Sequence, residues 1–121
     1  MKVPKKRVKN YIGLINLLNK SNSKKKEIIL KHLNDKSIDF ICELVHNVIH
    51  NNFNLSSKKV RKIKTLLHPN KKSFRYLSKK SGRIDKKRKL MVQHGQGIGV
   101  ILSTVLPILL NVLSNYASST K

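Results

Sequence analysis

The sequence has little acid, few aromatic residues, one cysteine and no tryptophan. Only 5 of its 121 residues are Asp or Glu, against 27 Lys and Arg, so its formal net charge is +22. Aromatic residues make up 5% of the chain, which leaves little large apolar volume for a core. Cys42 is the lone cysteine, which excludes an internal disulfide framework, and no Cys/His set has the spacing of four zinc ligands. We therefore expect one small domain whose charge is balanced by an anionic partner.

The histidines indicate neither a metal centre nor a catalytic site. His46 and His50 stand four residues apart, with Glu43 nearby. A zinc protease with this spacing needs Glu directly after the first His, and Asn47 is there instead. We interpret these groups, together with Asp39, as a solvated polar face. The sequence also has no Gly-rich phosphate loop and no Ser/His/Asp grouping, so we predict a nonenzymatic protein without a metal or a cofactor.

Charge is distributed very unevenly along the chain. Residues 1–36 carry 11 basic and 2 acidic groups, whereas residues 37–57 carry two acids and no Lys or Arg. Residues 58–89 carry 15 basic groups and one acid, a net charge of +14. Residues 90–120 have no charged side chain at neutral pH. The sequence thus divides into a strongly cationic body and an apolar tail.

Apolar residues recur at three- and four-residue steps through the body, which predicts short helices. The first three predicted helices cover about 8–18, 24–34 and 37–49. The fourth follows the turn at 54–57 and stops at 68–70. The fifth ends at 81–82 and the sixth ends near 95. Ser37 is the expected N-cap of the third helix. No stretch of the body alternates apolar and polar residues as a strand would.

The third predicted helix has the broadest apolar stripe and is our candidate for the core. Ile41, Val45 and Ile49 fall on one face, and Cys42 lies within the stripe as a small buried side chain rather than a nucleophile. The predicted fold class is all-α, a small bundle of short helices with a basic surface and a C-terminal apolar helical tail.

The basic run between Lys58 and Lys89 predicts a nonspecific interface for double-stranded DNA. An ordinary soluble surface mixes both signs of charge, and phosphates would balance this one. The chain has 22 Lys and only 5 Arg, which favours phosphate contact over base reading. The predicted contact residues are Lys58, Lys59, Arg61, Lys62, Lys64, Lys71, Lys72, Arg75, Lys79, Lys80, Arg83, Lys86, Lys87, Arg88 and Lys89. An alternative is a sequence-specific regulator in which the helices after Ser56 read DNA.

The apolar tail leaves two interpretations open. Residues 98–113 would form a helix of roughly 24 Å, which is shorter than the about 30 Å of a bilayer core, and Pro107 would kink it. An interfacial helix would contact a membrane or a capsid protein through Ile101, Leu102, Leu106, Leu109, Leu110 and Leu113. The other interpretation is that the tail packs onto the body or in a groove of another protein. A small cationic membrane-active protein is a further alternative for the whole chain.

The order of these parts resembles a known family. A short-helix body is followed by Lys86-Lys87-Arg88-Lys89, by Leu90-Met91-Val92-Gln93-His94-Gly95 and by a Leu- and Pro-containing tail. From about Asn10 onward this resembles the small basic protein of Polinton (Maverick) elements and adintoviruses. The resemblance implies a virion component, comparable with adenovirus core and minor capsid precursors and packaged with double-stranded DNA. It would lie in the host nucleus or cytoplasm during assembly, in keeping with an amino terminus that lacks a signal-peptide pattern.

The same resemblance implies an adenovirus-type maturation protease as a partner. Such a protease cuts before Gly in a sequence like Gln93-His94-Gly95-Gln96-Gly97, so the predicted processing residues are Gln93, Gly95, Gln96 and Gly97. Glycine at this boundary favours the extended shape that a protease needs. We therefore divide the chain into a basic helical body at 1–92, a glycine-containing hinge at 93–97 and an apolar tail at 98–121.

Overall fold

The computed structural model describes residues 5–95 and 99–117. Most of these residues lie in helices. The α-helices are α1 (Lys5–Lys20), α2 (Ser23–His32), α3 (Asp35–Ile49), α4 (Ser57–Leu67), α5 (Lys71–Leu77), α6 (Ile84–Val92) and α7 (Leu106–Ala117). Single 3-10 turns cover His68–Asn70 and Ile101–Thr104. Two two-residue strands, β1 (His94–Gly95) and β2 (Gly99–Val100), pair antiparallel after α6. The predicted all-α bundle is confirmed.

Polar side chains close the amino ends of three helices. Asn22 and Asn34 accept hydrogen bonds from the backbone N–H three residues later, each at 2.8 Å, and Ser56 does the same at 3.3 Å. The prediction of Ser37 as N-cap of the third helix is wrong by one turn. Ser37 is the residue whose N–H the Asn34 side chain accepts, so the helix begins earlier than its apolar stripe.

The centre of the core is α3, as the sequence predicts. Ile41 and Val45 have no exposed surface, and Cys42 is 3% exposed. Ile49 is only partly buried, because it lies in the last turn of α3 at the edge of the core. Tyr11 of α1 stacks on Phe40 with ring centroids 4.3 Å apart, which fastens the first helix to this centre.

The tail packs onto the body in this structure. Helix α7 lies chiefly against α1, and it buries Leu106, Leu109 and Leu113 completely. Leu102, in the 3-10 turn before α7, is also fully buried. The predicted kink at Pro107 is wrong, because this residue is the second of α7, where the missing N–H has no intrahelical acceptor in any case. Within the described residues no helix is both long and apolar enough to cross a bilayer.

The loop between α3 and α4 is held by asparagines. Asn51 and Asn54 adopt positive φ values of 52° and 57°, which asparagine tolerates better than most residues. The Asn51 side chain accepts from Leu55 N at 2.7 Å and donates to Leu55 O at 3.3 Å. These bonds fix the direction in which the chain enters α4.

Candidate nucleic-acid interface

Helix α4 has one apolar face and one cationic face. Ile63 and Leu67 are buried against the bundle at 6% and 7% exposure. The opposite face presents Lys58, Arg61 and Lys62, all exposed, at the three- and four-residue steps that align side chains on a helix. The apolar contacts thus hold this helix with its cations directed to solvent.

Helix α5, which follows α4 after one 3-10 turn, carries further exposed cations. Pro69 lies in the 3-10 turn that separates α4 from α5, as the sequence predicts. Phe74 and Leu77 are each 1% exposed and anchor α5 to the core. We call the exposed cations of the two helices the α4–α5 surface: Lys58, Lys59, Arg61, Lys62, Lys64, Lys71, Lys72 and Arg75.

The α4–α5 surface has no carboxylate to balance it. Residues 57–80 contain no Asp or Glu. Four ion pairs within the described residues lie elsewhere: Arg7 with Glu43, Lys31 with Glu27, Arg83 with Asp85 and Arg88 with Asp35. Four of the five acids thus pair with cations outside the α4–α5 surface, and the repulsion among its own cations is not balanced within the segment.

A second group of cations surrounds Tyr76. The Lys86 Nζ lies 4.5 Å from the centre of the Tyr76 ring and the Lys79 Nζ 5.8 Å from it. The Tyr76 hydroxyl accepts a hydrogen bond from Arg83 N at 3.0 Å. The remaining predicted contact residues of this part, Lys80 and Lys89, are exposed as well.

Lys87 is not a surface residue, which corrects its assignment to DNA contact. Its residue is only 4% exposed, and its Nζ donates a hydrogen bond to the Lys79 carbonyl. Gly82 makes room for it, because a Cβ there would lie 2.7 Å from Lys87 Cε. Lys87 also stands three residues after Ile84 and four before the buried Met91. This helical spacing places Lys87 on the buried face of α6, although the residue lies within a run of basic residues.

Arg88 is partly buried and makes hydrogen bonds inside the protein, which argues against its predicted role in DNA contact. Its Nη1 donates to Leu30 O at 2.8 Å and to Leu33 O at 2.6 Å, and its Nη2 contacts Asp35 Oδ1 at 2.8 Å. Two of the bonds satisfy carbonyls at the C-terminal end of α2, where a cation is also favourable to the helix dipole. Because both Nη atoms already donate hydrogen bonds within the protein, few N–H groups of Arg88 remain to bind a phosphate.

Polar side chains of α3 line a cleft of about 330 Å³, namely Asp39, Glu43, His46 and Asn47. Asp39 and His50 are exposed, as the predicted solvated face requires, and His50 does not line the cleft. Asn47 is 1% exposed and its Oδ1 accepts from Asn52 Nδ2 at 2.7 Å, which corrects the predicted solvated position. His46 Nδ1 lies 2.9 Å from Ser78 O, and its ring centroid is 4.3 Å from that of His50. No group of three metal-ligating side chains occurs within the described ranges.

Cys42 also lines this cleft, and its environment opposes reactivity. Burial raises the pKa of the thiol to about 12, although the nearby Lys87 ammonium lowers it in part. The thiolate is the nucleophilic form of cysteine. At neutral pH the folded chain therefore holds Cys42 as an unreactive thiol, in the buried position that the sequence predicts.

The predicted membrane or capsid contacts lie mainly inside the bundle. Leu102, Leu106, Leu109 and Leu113 have no exposed surface, whereas Leu110 is partly buried. The Ile101 side chain lies outside the described part of the structure. Contact through the four buried leucines would require the tail to leave the core.

The predicted processing segment is only partly described. Gln93 is exposed, and Gly95 pairs with Gly99 in the two-residue ladder. Gln96 and Gly97, which flank the predicted cut, lie outside the described residues. Cleavage at this place stays a prediction.

No protein-family model, curated protein or solved structure matches this chain. The resemblance to the basic protein of Polinton elements and adintoviruses therefore stays a prediction from the sequence. The chemistry of the site has to be argued from this chain's own residues.

Proposed function

We propose that this is a nonenzymatic protein that binds double-stranded DNA nonspecifically through the α4–α5 surface. One observation carries the proposal: eight exposed cations lie on two adjacent helices, in a segment that contains no carboxylate. Each cation that meets a phosphate releases a condensed counterion, and this release drives association without any reading of sequence.

The residue types of the surface favour phosphate contact over base recognition. Six of its eight cations are Lys, whose ammonium is a mobile point charge, and only Arg61 and Arg75 can form bidentate bonds. A recognition helix needs several rigid Arg, Asn or Gln side chains directed at base edges. Within the outer face of α4 only Arg61 has that chemistry. The sequence-specific regulator is thus the weaker alternative.

The biological setting is proposed from the sequence resemblance. In a virion component of the Polinton and adintovirus kind, a protein of net charge +22 would neutralise part of the packaged DNA. The DNA-binding proposal does not depend on that setting. It depends on the α4–α5 surface alone.

Fluorescence anisotropy with two labelled duplexes of equal length and unrelated sequence tests the function. The full chain should bind both with the same affinity within about twofold, and unlabelled bulk DNA should displace them equally. A strong preference for one duplex at physiological salt would favour the regulator instead. Leakage of anionic vesicles without any affinity for DNA would favour the membrane-active alternative.

A further inference from the structure

An open groove runs between α4 and α7, beside the α4–α5 surface. It has a volume of about 540 Å³ and is lined by apolar side chains from both helices. Ile63 and Leu66 belong to the α4 wall, and Pro107, Ile108 and Val112 belong to the α7 wall. This volume falls within the roughly 300–1,000 Å³ of typical ligand-binding clefts.

Leu66 is a large apolar side chain that the fold leaves exposed at this groove, where Pro107 is exposed as well. Leu66 is 39% exposed, although the helical pattern places it next to the buried seam of α4. Leu17 and Ile28 are the other large apolar side chains that stand out as exposed in the described chain, and neither lines the groove. Burial of Leu66 by an occupant would remove apolar surface from water.

A polar group on the same groove also lacks a partner. Thr104 lines the groove, and its Oγ1 is buried without a hydrogen bond to any described residue. A buried hydroxyl without a partner is unfavourable. The oxygen has almost no surface open to the groove, so the occupant has to be identified from the apolar walls and the charge around them.

The charge around the groove decides the kind of occupant. Lys59 and Lys62 line it on the α4 side. A second copy of the chain would bring another net charge of +22 against these lysines, and DNA has no apolar side chain to fill the walls. An apolar segment flanked by Asp or Glu satisfies both the walls and the lysines.

We propose that the α4–α7 groove docks a short acidic segment of a partner protein, anchored by apolar side chains. This interaction goes beyond DNA binding, since it uses Leu66 and α7 as well as the lysines. Docking of an apolar peptide face between two helices is a common mode of recognition. The complementary charge would bring the segment to the groove, and the burial of Leu66 would hold it there.

Labelled peptides and the full chain test this proposal. The probe is a short helix-forming peptide with leucines on one face and glutamates elsewhere, and the control peptide has serines in place of the leucines. The leucine peptide should bind roughly tenfold more tightly than the serine peptide, since each buried anchor contributes more than about 1 kcal/mol. Equal affinity for the two peptides would show attraction by charge alone and overturn the proposal.

Matched protein variants locate the binding site. Leu66→Ser should weaken binding of the leucine peptide roughly tenfold, and Lys59→Gln should weaken it to a smaller extent. Ile28→Ser removes a comparably exposed apolar side chain outside the groove, so it should change nothing. Equal losses from Leu66→Ser and Ile28→Ser would contradict the assignment of the groove.

Three further readouts keep the outcomes distinct. Leu66→Ser should retain the urea midpoint of the unchanged chain, which shows that the variant is folded. It should also retain the DNA affinity, which separates a failed groove from a failed DNA surface. Sedimentation of the chain without peptide should give a monomer for both proteins. A dimer that Leu66→Ser dissociates would assign the groove to a second copy and overturn the proposal.

Discussion

The Arg88 guanidinium lies 2.8 Å from the Asp35 carboxylate, across 53 residues of sequence. This contact joins α6 to the junction between α2 and α3. The same guanidinium also caps the Leu30 and Leu33 carbonyls at the end of α2. A residue within the most basic run of the sequence therefore serves the fold.

Arg88→Gln should lower the free energy of unfolding by about 1–3 kcal/mol, because two partly buried carbonyl contacts lose a charged donor. Asp35→Asn should cost less than about 1 kcal/mol, since the Asp35 side chain is 74% exposed and its ion pair is screened by water. Urea denaturation of both variants measures the two values. Equal losses would mean that the ion pair, and not the carbonyl capping, is the stabilising part.

Lys89→Gln is the matched control within the same run. Lys89 is exposed, so its replacement should leave the urea midpoint unchanged. A replacement of all four residues 86–89 would mix lost stability with lost charge. Tests of DNA contact should therefore use the exposed cations only.

The helices could be predicted from the sequence, but the roles of some cations and of the tail could not. Periodic apolar residues mark α1 to α6 because each helix buries one face. Lys87 and Arg88 carry the same charge as their exposed neighbours, and only the packing of α6 distinguishes them. The apolar composition of the tail suits either a protein core or an interface with a partner. Its packing against α1 is a tertiary contact, which the local sequence pattern does not predict.

Leu109→Ala should lower the free energy of unfolding by about 2–5 kcal/mol, because it opens a cavity at a fully buried position of α7. Leu110→Ala, at a partly buried position on the same helix, should cost less. Circular dichroism during thermal unfolding compares the two. A tail that is free in solution would make both variants as stable as the unchanged chain.

Burial of α7 also changes what cleavage at the hinge should do. A cut between Gln96 and Gly97 breaks one peptide bond but none of the apolar contacts of α7 with α1. After cleavage by an adenovirus-type protease, the tail should stay bound to the body on a sizing column. Separation of the two pieces under native conditions would contradict this expectation.

Cys42 should react with thiol reagents only when the chain unfolds. Its pKa is raised to about 12, so at pH 8 roughly one thiol in ten thousand is ionised in the folded state. In the unfolded chain the thiol returns towards its ordinary pKa near 9 and ionises much more readily. Labelling with iodoacetamide at pH 8 should therefore follow the urea unfolding curve. Fast labelling without urea would show that the core around α3 is open.

The salt dependence of DNA affinity tests the central claim most directly. Each lost phosphate contact lowers the slope of log K against log salt by about 0.9. Replacement of Lys58, Arg61 and Lys62 by Gln should therefore flatten the slope by roughly 2–3, whereas replacement of Lys24, Lys25 and Lys36, which are exposed on other helices, should change it much less. Equal slopes for the two triple variants would contradict the assignment of DNA binding to the α4–α5 surface.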